Sequence, residues 1–176
     1  DLDGTLLNSK GEVSHENRNA IKLAKEKGME VVLCSGRITS SVQTISLDIG
    51  ADNFLISGNG AELYDIQNEK ILYDNYMNKE TTLKLIKFCE ENSIYYSVFS
   101  ENSIIAKTLN YNVLVYNSEN SRKEINKRTN INITQDIYEY IKNSKTDKFA
   151  KLTICDNNKT IFNGIINKLR KIKNIE

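Results

Sequence analysis

Residues 29–34 read Met-Glu-Val-Val-Leu-Cys, a short and nearly continuous apolar run held between Gly28 and the polar loop Ser35-Gly36-Arg37. A strand with one wet face would alternate polar and apolar residues. A run that does not alternate predicts a parallel strand buried on both faces. Parallel strands need crossover connections, usually helices, and the flanking segments fit that need. Ser14 reads as an N-cap, Ala20, Leu23 and Ala24 recur at helical spacing, and Gly28 ends the helix. A second helix is predicted over residues 39–49 before Gly50, another strand over 53–57, and a hairpin from strands 61–65 and 71–73 around Gln67-Asn68-Glu69. The fold class is α/β with a parallel sheet.

Beyond residue 75 the texture changes. Residues 79–92 predict an amphipathic helix with Leu83, Ile86 and Phe88 among its apolar positions, followed by strands at 94–99 and 103–109. Residues 110–148 are rich in Asn, Lys and Ser, and only helical turns near 122–128 and 137–141 are expected there. A strand at 149–155 and a helix at 160–172, with Ile161, Ile165, Leu169 and Ile172 on one stripe, complete the pattern.

The chain has 176 residues, 39% hydrophobic and 27% charged, which suits one globular domain or two small ones. A net charge of +1 argues against nucleic acid as a main partner, and the basic run from Lys168 to Lys173 reads as a solvated helix face. Cys34, Cys89 and Cys155 lie far apart with no C-x-x-C spacing, so neither zinc nor a disulfide framework is suggested, and a reduced, cytoplasmic setting is expected. No stretch has the length of a membrane span, and no signal sequence is visible. The single histidine, His15, follows Ser14 at a predicted helix start, where a capping or surface role is expected.

Chemistry is signalled most strongly by Asp1-Leu2-Asp3-Gly4-Thr5-Leu6-Leu7. As a polar turn the segment needs no function, since Asp and Gly favour tight turns. As a calcium loop it places Asp3 third and Glu12 twelfth, but Leu6 stands where that loop needs Gly. As a phosphoryl-transfer site it offers a nucleophile and an acid/base two residues apart, and an extended segment points alternate side chains the same way. Ligands of open parallel sheets gather beyond the carboxyl ends of the strands. Ser35-Gly36-Arg37 and Gly58-Asn59-Gly60 both follow predicted strands directly. Either alone reads as a tight turn, but three polar loops at successive strand ends argue for a site.

In order and spacing, Asp1 to Leu7, Lys10-Gly11-Glu12-Val13-Ser14, Gly28 to Arg37 and Ile56-Ser57-Gly58-Asn59-Gly60-Ala61 resemble the motifs of the haloacid dehalogenase superfamily, in its Cof-like subgroup. The resemblance implies a Rossmann-like core, of which residues 1–74 form the first part, and an inserted type IIB α/β cap over residues 75–176. It implies a Mg²⁺-dependent phosphatase of small phosphorylated metabolites, such as sugar phosphates or phosphorylated cofactors, working through an aspartyl-phosphate. Asp1 would be the nucleophile and Asp3 the acid/base, and Mg²⁺ would be bound by Asp1 and the backbone carbonyl of Asp3. Ser35 would hydrogen-bond the phosphoryl group, Thr5 would orient the loop, and Gly36 would allow close backbone approach. Arg37, Asn59 and Gly60 would support the substrate, with a structural ion pair as the other reading of Arg37.

The family's third-motif Lys and its fourth-motif G-D-x-x-N-D run are not matched. Asp156-Asn157-Asn158 is the nearest acidic cluster, and Lys145, Lys148 and Lys151 fall within the expected cap. The segment is therefore expected to be part of a longer phosphatase, inactive or nearly so alone and prone to self-association through exposed edges. Two other readings stay open: a phosphomutase returning the phosphoryl group to a sugar, and a non-catalytic sugar-phosphate binding module. The substrate and the oligomeric state are not legible.

Overall fold

The computed structural model describes residues 1–101 and 103–170. Its first residues form a tight turn rather than a regular element. Leu2 is wholly buried while Asp1 and Asp3 on either side are exposed, and Gly4 takes a left-handed φ of +75° so that Leu7 N–H can return to the Leu2 carbonyl at 2.9 Å. Only glycine adopts that backbone without strain. Helix α1 (His15–Glu26) begins as expected at Ser14, whose hydroxyl accepts from Asn17 N–H at 3.2 Å. His15 is exposed and its ring nitrogen lies 3.0 Å from the Asn19 amide, in keeping with a surface role.

Strand β1 (Leu33–Cys34) pairs in parallel with β2 (Phe54–Ser57), and α2 (Thr39–Asp48) makes the crossover. β3 (Glu62–Asp65) and β4 (Lys70–Asp74) continue as an antiparallel hairpin, giving the order β1-β2-β3-β4. Leu2, Leu7, Val13, Leu33, Val42 and Leu55 form the cluster beneath the turn. The strand predicted over 29–34 is corrected here. Only its last two residues are paired, and Met29 and Val32 are 60% and 38% exposed. Among the described residues β1 has a neighbour on one side only, and of the start of the run only Val31 packs on the core.

The chain then builds a second sheet. Helix α3 (Lys79–Glu91) leads into β5 (Tyr96–Ser100) and β6 (Ser103–Ala106), then α4 (Tyr111–Asn120), a 3₁₀ turn at Ile125–Lys127, β7 (Asn130–Ile133), α5 (Ile137–Lys142), β8 (Phe149–Ile154) and α6 (Lys159–Leu169). The sheet order is β7-β6-β5-β8, with only β6 and β7 parallel. Side chains alternate across it. Val98 opposite Ile105 packs on Ile86, Cys89, Ile137, Ile141 and Ile165 from the helices. Phe99 opposite Ile104 faces the other way, toward Val113 and Tyr116 of α4 and toward Ile38 from the first sheet's loop. Four-stranded sheets with both strand senses, served by helices, make the molecule α/β as expected.

Two elements in the Asn-rich stretch departed from expectation. Helix α4 was not predicted because Tyr-Asn-Val-Leu-Val-Tyr-Asn-Ser-Glu-Asn is poor in helix formers and starts at Tyr111 with φ +46°. Strand β7 was missed because it is four residues, Asn-Ile-Asn-Ile. The expected turns near 125 and 137 are present. On the predicted C-terminal stripe Ile165 is buried and Ile161 half exposed, while Ile172 lies outside the described residues. Among the described residues no helix is long and apolar enough to cross a membrane.

Candidate functional site

The turn at Asp1, the loop after β1 and one face of the second sheet enclose a cleft of about 430 Å³. Its floor is Asp1, Asp3, Ser35, Gly36 and Arg37, and its roof Asn112, Tyr116, Glu119, Lys151 and Thr153. Burial of Leu2 is what aims the floor. With that side chain pinned in the core, the turn leaves Asp1 and Asp3 exposed on either side of it, both lining the cleft.

Arg37 is the electrostatic centre. It is buried, and its Nε and Nη2 donate to the two carboxylate oxygens of Asp3 at 2.7 and 2.6 Å, while Nη1 reaches Glu119 at 2.7 Å and Ser41 Oγ at 3.2 Å. Asp3 is accordingly held below the usual carboxylate range, first by its hydrogen bonds from Arg37, against a smaller desolvation effect of the opposite sign. Arg37 is held further above its ordinary value, chiefly by Asp3, so it stays charged. Thus the ion pair that sequence allowed for Arg37 is present, and it joins the two sheets through Glu119 on α4.

The two strand-end loops are zipped to each other. Ser35 N–H donates to the Ile56 carbonyl at 2.9 Å, Asn59 N–H to the Ser35 carbonyl at 3.2 Å, and Gly58 N–H to the Arg37 carbonyl at 2.8 Å. Ser35 Oγ accepts from Arg37 N–H at 3.2 Å, which leaves its own hydroxyl hydrogen for another acceptor. A Cβ added at Gly36 would collide with the Asn59 side-chain oxygen, so the glycine permits a close approach there. Gly58, Asn59 and Gly60 all have positive φ, forming a tight turn behind Ser35.

Of the residues singled out from sequence, the structure brings Asp1, Asp3, Ser35, Gly36 and Arg37 together around the cleft. Thr5 Oγ1 lies 3.5 Å from an Asp1 oxygen, under the turn. Asn59 backs Gly36, and neither it nor Gly60 is among the cleft-lining residues. Sequence reasoning did not assign the roof. Lys151 and Thr153 face inward because Lys151 pairs with Phe99 and Thr153 with Ser97 on one face of the sheet, while Leu152 and Ile154 turn to the helices. The alternation in Phe149 to Ile154 carries that signal, but which face meets the cleft is not local information. Lys151 Nζ donates to the Gly36 carbonyl and sits 4.5 Å from the Phe99 ring centre; burial pushes its ammonium below the ordinary lysine value.

The donor set can begin a site for a hard cation. Asp1 has both oxygens largely uncommitted, whereas the Asp3 side chain is spent on Arg37, leaving its main-chain carbonyl as a second oxygen. One carboxylate with a carbonyl, completed by substrate phosphate and water, suits Mg²⁺. Among the described residues no cluster of three or more His, Cys, Asp or Glu side chains could hold a metal by itself.

A buried carboxylate lies behind the loops. Glu62 on β3 accepts from the hydroxyls of Thr39 and Tyr76, and burial raises it above the ordinary glutamate value.

A family model for haloacid dehalogenase-like hydrolases matches residues 1–175. The chain is 38% identical over 104 residues to phosphatase YwpJ of Bacillus subtilis, covering 59% of the chain and 36% of that protein. It is 32% identical over 106 residues to 5-amino-6-(5-phospho-D-ribitylamino)uracil phosphatase YwtE of the same organism, covering 60% and 36%. These matches span about a third of the length of the curated relatives. A solved haloacid dehalogenase-like hydrolase from B. subtilis superposes with a TM-score of 0.81 at 23% identity, over 100% of this chain and 67% of that one.

Proposed function

The chain belongs to the haloacid dehalogenase-like hydrolases, and from that premise we propose that it forms part of a Mg²⁺-dependent phosphatase of small phosphorylated metabolites, sugar phosphates or phosphorylated cofactors. The observation that carries the reading is the placement of Asp1 and Asp3 side by side over buried Leu2, with the free hydroxyl hydrogen of Ser35 on the same cleft floor. That relatives are named phosphatases supports it. The division into a core at residues 1–74 and a cap at 75–176, and a cytoplasmic location, belong to the same proposal.

In this reading an Asp1 oxygen attacks phosphorus as the bond to the leaving oxygen breaks, giving an aspartyl-phosphate that water then hydrolyses. Asp3 protonates the departing oxygen and later takes a proton from the water. Arg37 holds Asp3 ionised, the form that accepts the second proton; delivering the first requires that ion pair to loosen. Ser35 donates to a phosphoryl oxygen, and Thr5 steadies Asp1. Asp1 and the Asp3 carbonyl are the residues that would hold Mg²⁺, which when bound offsets phosphoryl charge. Arg37 supports the substrate indirectly, by fixing Asp3, while Asn59 and Gly60 shape the loop behind Ser35.

The 176 residues alone are proposed to turn over slowly, since the third- and fourth-motif groups of the family are not matched in this sequence. The reading is tested by incubating the chain with p-nitrophenyl phosphate and Mg²⁺ and trapping the acyl phosphate with borohydride. Label on Asp1 by mass spectrometry is expected. Trapping elsewhere, or turnover unchanged in Asp1→Asn, overturns it.

A further inference from the structure

Among the described residues Lys151 is the one cation that the second sheet projects into the roof of the cleft. Its surroundings are unusual for an ammonium. Nζ donates to the Gly36 carbonyl and lies over the Phe99 ring, and among the described residues no carboxylate comes within ion-pairing distance of it, Asp3 acting on it only from farther off. Burying a charge with so little compensation is costly unless something else arrives to pair with it. Arg37 differs, because its charge is already matched by Asp3 and Glu119. The cleft floor below Lys151 carries Ser35 and Gly36, next to the place where Asp1 would meet phosphorus.

We propose that Lys151 binds the phosphoryl end of the substrate directly, moving its hydrogen bond from the Gly36 carbonyl to a phosphate oxygen. The lysine supplies, from outside the first sheet, positive charge next to a dianion. Its position is fixed by register: the antiparallel pairing of β5 with β8 runs unbroken from Tyr96–Ile154 to Phe99–Lys151, which puts Lys151 on the Phe99 face, the cleft side of the sheet. Ala150, before it, packs against Gly58, which keeps the two loops within lysine reach. The inference rests on the reading of the cleft as a phosphate-ester site.

Inorganic phosphate is the probe, with the 176-residue chain, Mg²⁺, calorimetry and ¹⁵N spectra of the lysine ammonium groups. The Lys151 signal, identified by its loss in Lys151→Met, is expected to shift as phosphate saturates. Lys151→Met is expected to weaken phosphate binding about tenfold or more with an unchanged melting temperature, the scale of one charged hydrogen bond. A Lys151 signal that ignores phosphate, an unchanged Kd in Lys151→Met, or no phosphate binding by the unaltered chain at millimolar concentration each overturns the proposal. If Lys151→Met does not fold, the signal is identified by its loss in Lys151→Arg, and the wild-type spectra decide. The two readings separate cleanly. Phosphate held by Lys151 with p-nitrophenyl phosphate turnover indifferent to Asp1→Asn removes the phosphatase and keeps the lysine site; the reverse pattern removes the lysine site and keeps the phosphatase.

Discussion

In the second sheet all five residues of β5 are buried and Ile86, Ile137, Ile141 and Phe149 close over one face, whereas the first sheet leaves Phe54, Leu72 and Tyr73 at least a third exposed, along with Leu23 on α1 and Met29 and Val32 beside β1. Both sheets have four strands, so strand count does not explain the difference. Cover does. Helices α3, α5 and α6 lie on one face of the second sheet and α4 on the other, while α1 has no buried residue at all. The second sheet is a packed platform that presents Lys151 and Thr153; the first is a thinner support whose value lies in its strand-end loops. Substitutions in the two should therefore move different observables.

The largest effect is expected from Asp1→Asn, which should cut turnover of p-nitrophenyl phosphate by about a thousandfold or more while shifting the melting temperature little, because Asp1 is exposed and makes one long hydrogen bond. A large change in melting temperature without a change in rate would reverse the assignment of roles. Phe149→Ala should do the opposite. Removing a fully buried ring from the platform costs about 3–5 kcal/mol, read by urea unfolding. A cost under about 1 kcal/mol would mean that the platform is not packed as described.

A smaller effect concerns Glu62. Burial raises its folded-state pKa, so the folded protein takes up a proton more readily than the unfolded chain. The stability it contributes is fully present below its ordinary value of 4.5 and is lost as pH rises through the folded value. Glu62→Gln should flatten the melting-temperature profile from pH 4.5 toward neutrality; a profile identical to wild type would show that Glu62 is not the buried carboxyl inferred here. The smallest effect is expected at Leu72. Leu72→Ala on the open first sheet should lie within about 0.5 kcal/mol of wild type. The same exposed surface should bind a hydrophobic dye and promote concentration-dependent association in sedimentation, and Leu72→Lys with Tyr73→Lys should reduce both.

The legible parts of the fold were those written in local signals. The Ser14 cap, the Gly28 stop, the hairpin around Asn68 and the helix stripe around Ile86 depend on neighbours within a few positions, and each is in place. Residues 29–34 show the limit of that logic, since an apolar run states what a strand could bury, not whether anything lies across from it. Helix α4 shows another limit. Its β-branched and Asn-rich sequence is held by Val113 and Tyr116 packing on Phe99, a tertiary contact that overrides propensity.

By itself, the amino-acid sequence determined the pairing of Asp1 with Asp3 across an apolar Leu2, the Ser35-Gly36-Arg37 loop that follows a strand, and the α/β rhythm that brings strand ends together. These rest on alternation and turn chemistry, which act over a few residues. Tertiary structure alone decided that Arg37 spends its charge on Asp3 and Glu119, and that Lys151, 150 positions after Asp1, hangs over the same cleft. Such contacts depend on how one sheet docks on the other, and no local pattern encodes the distance between two surfaces that meet only after both have folded.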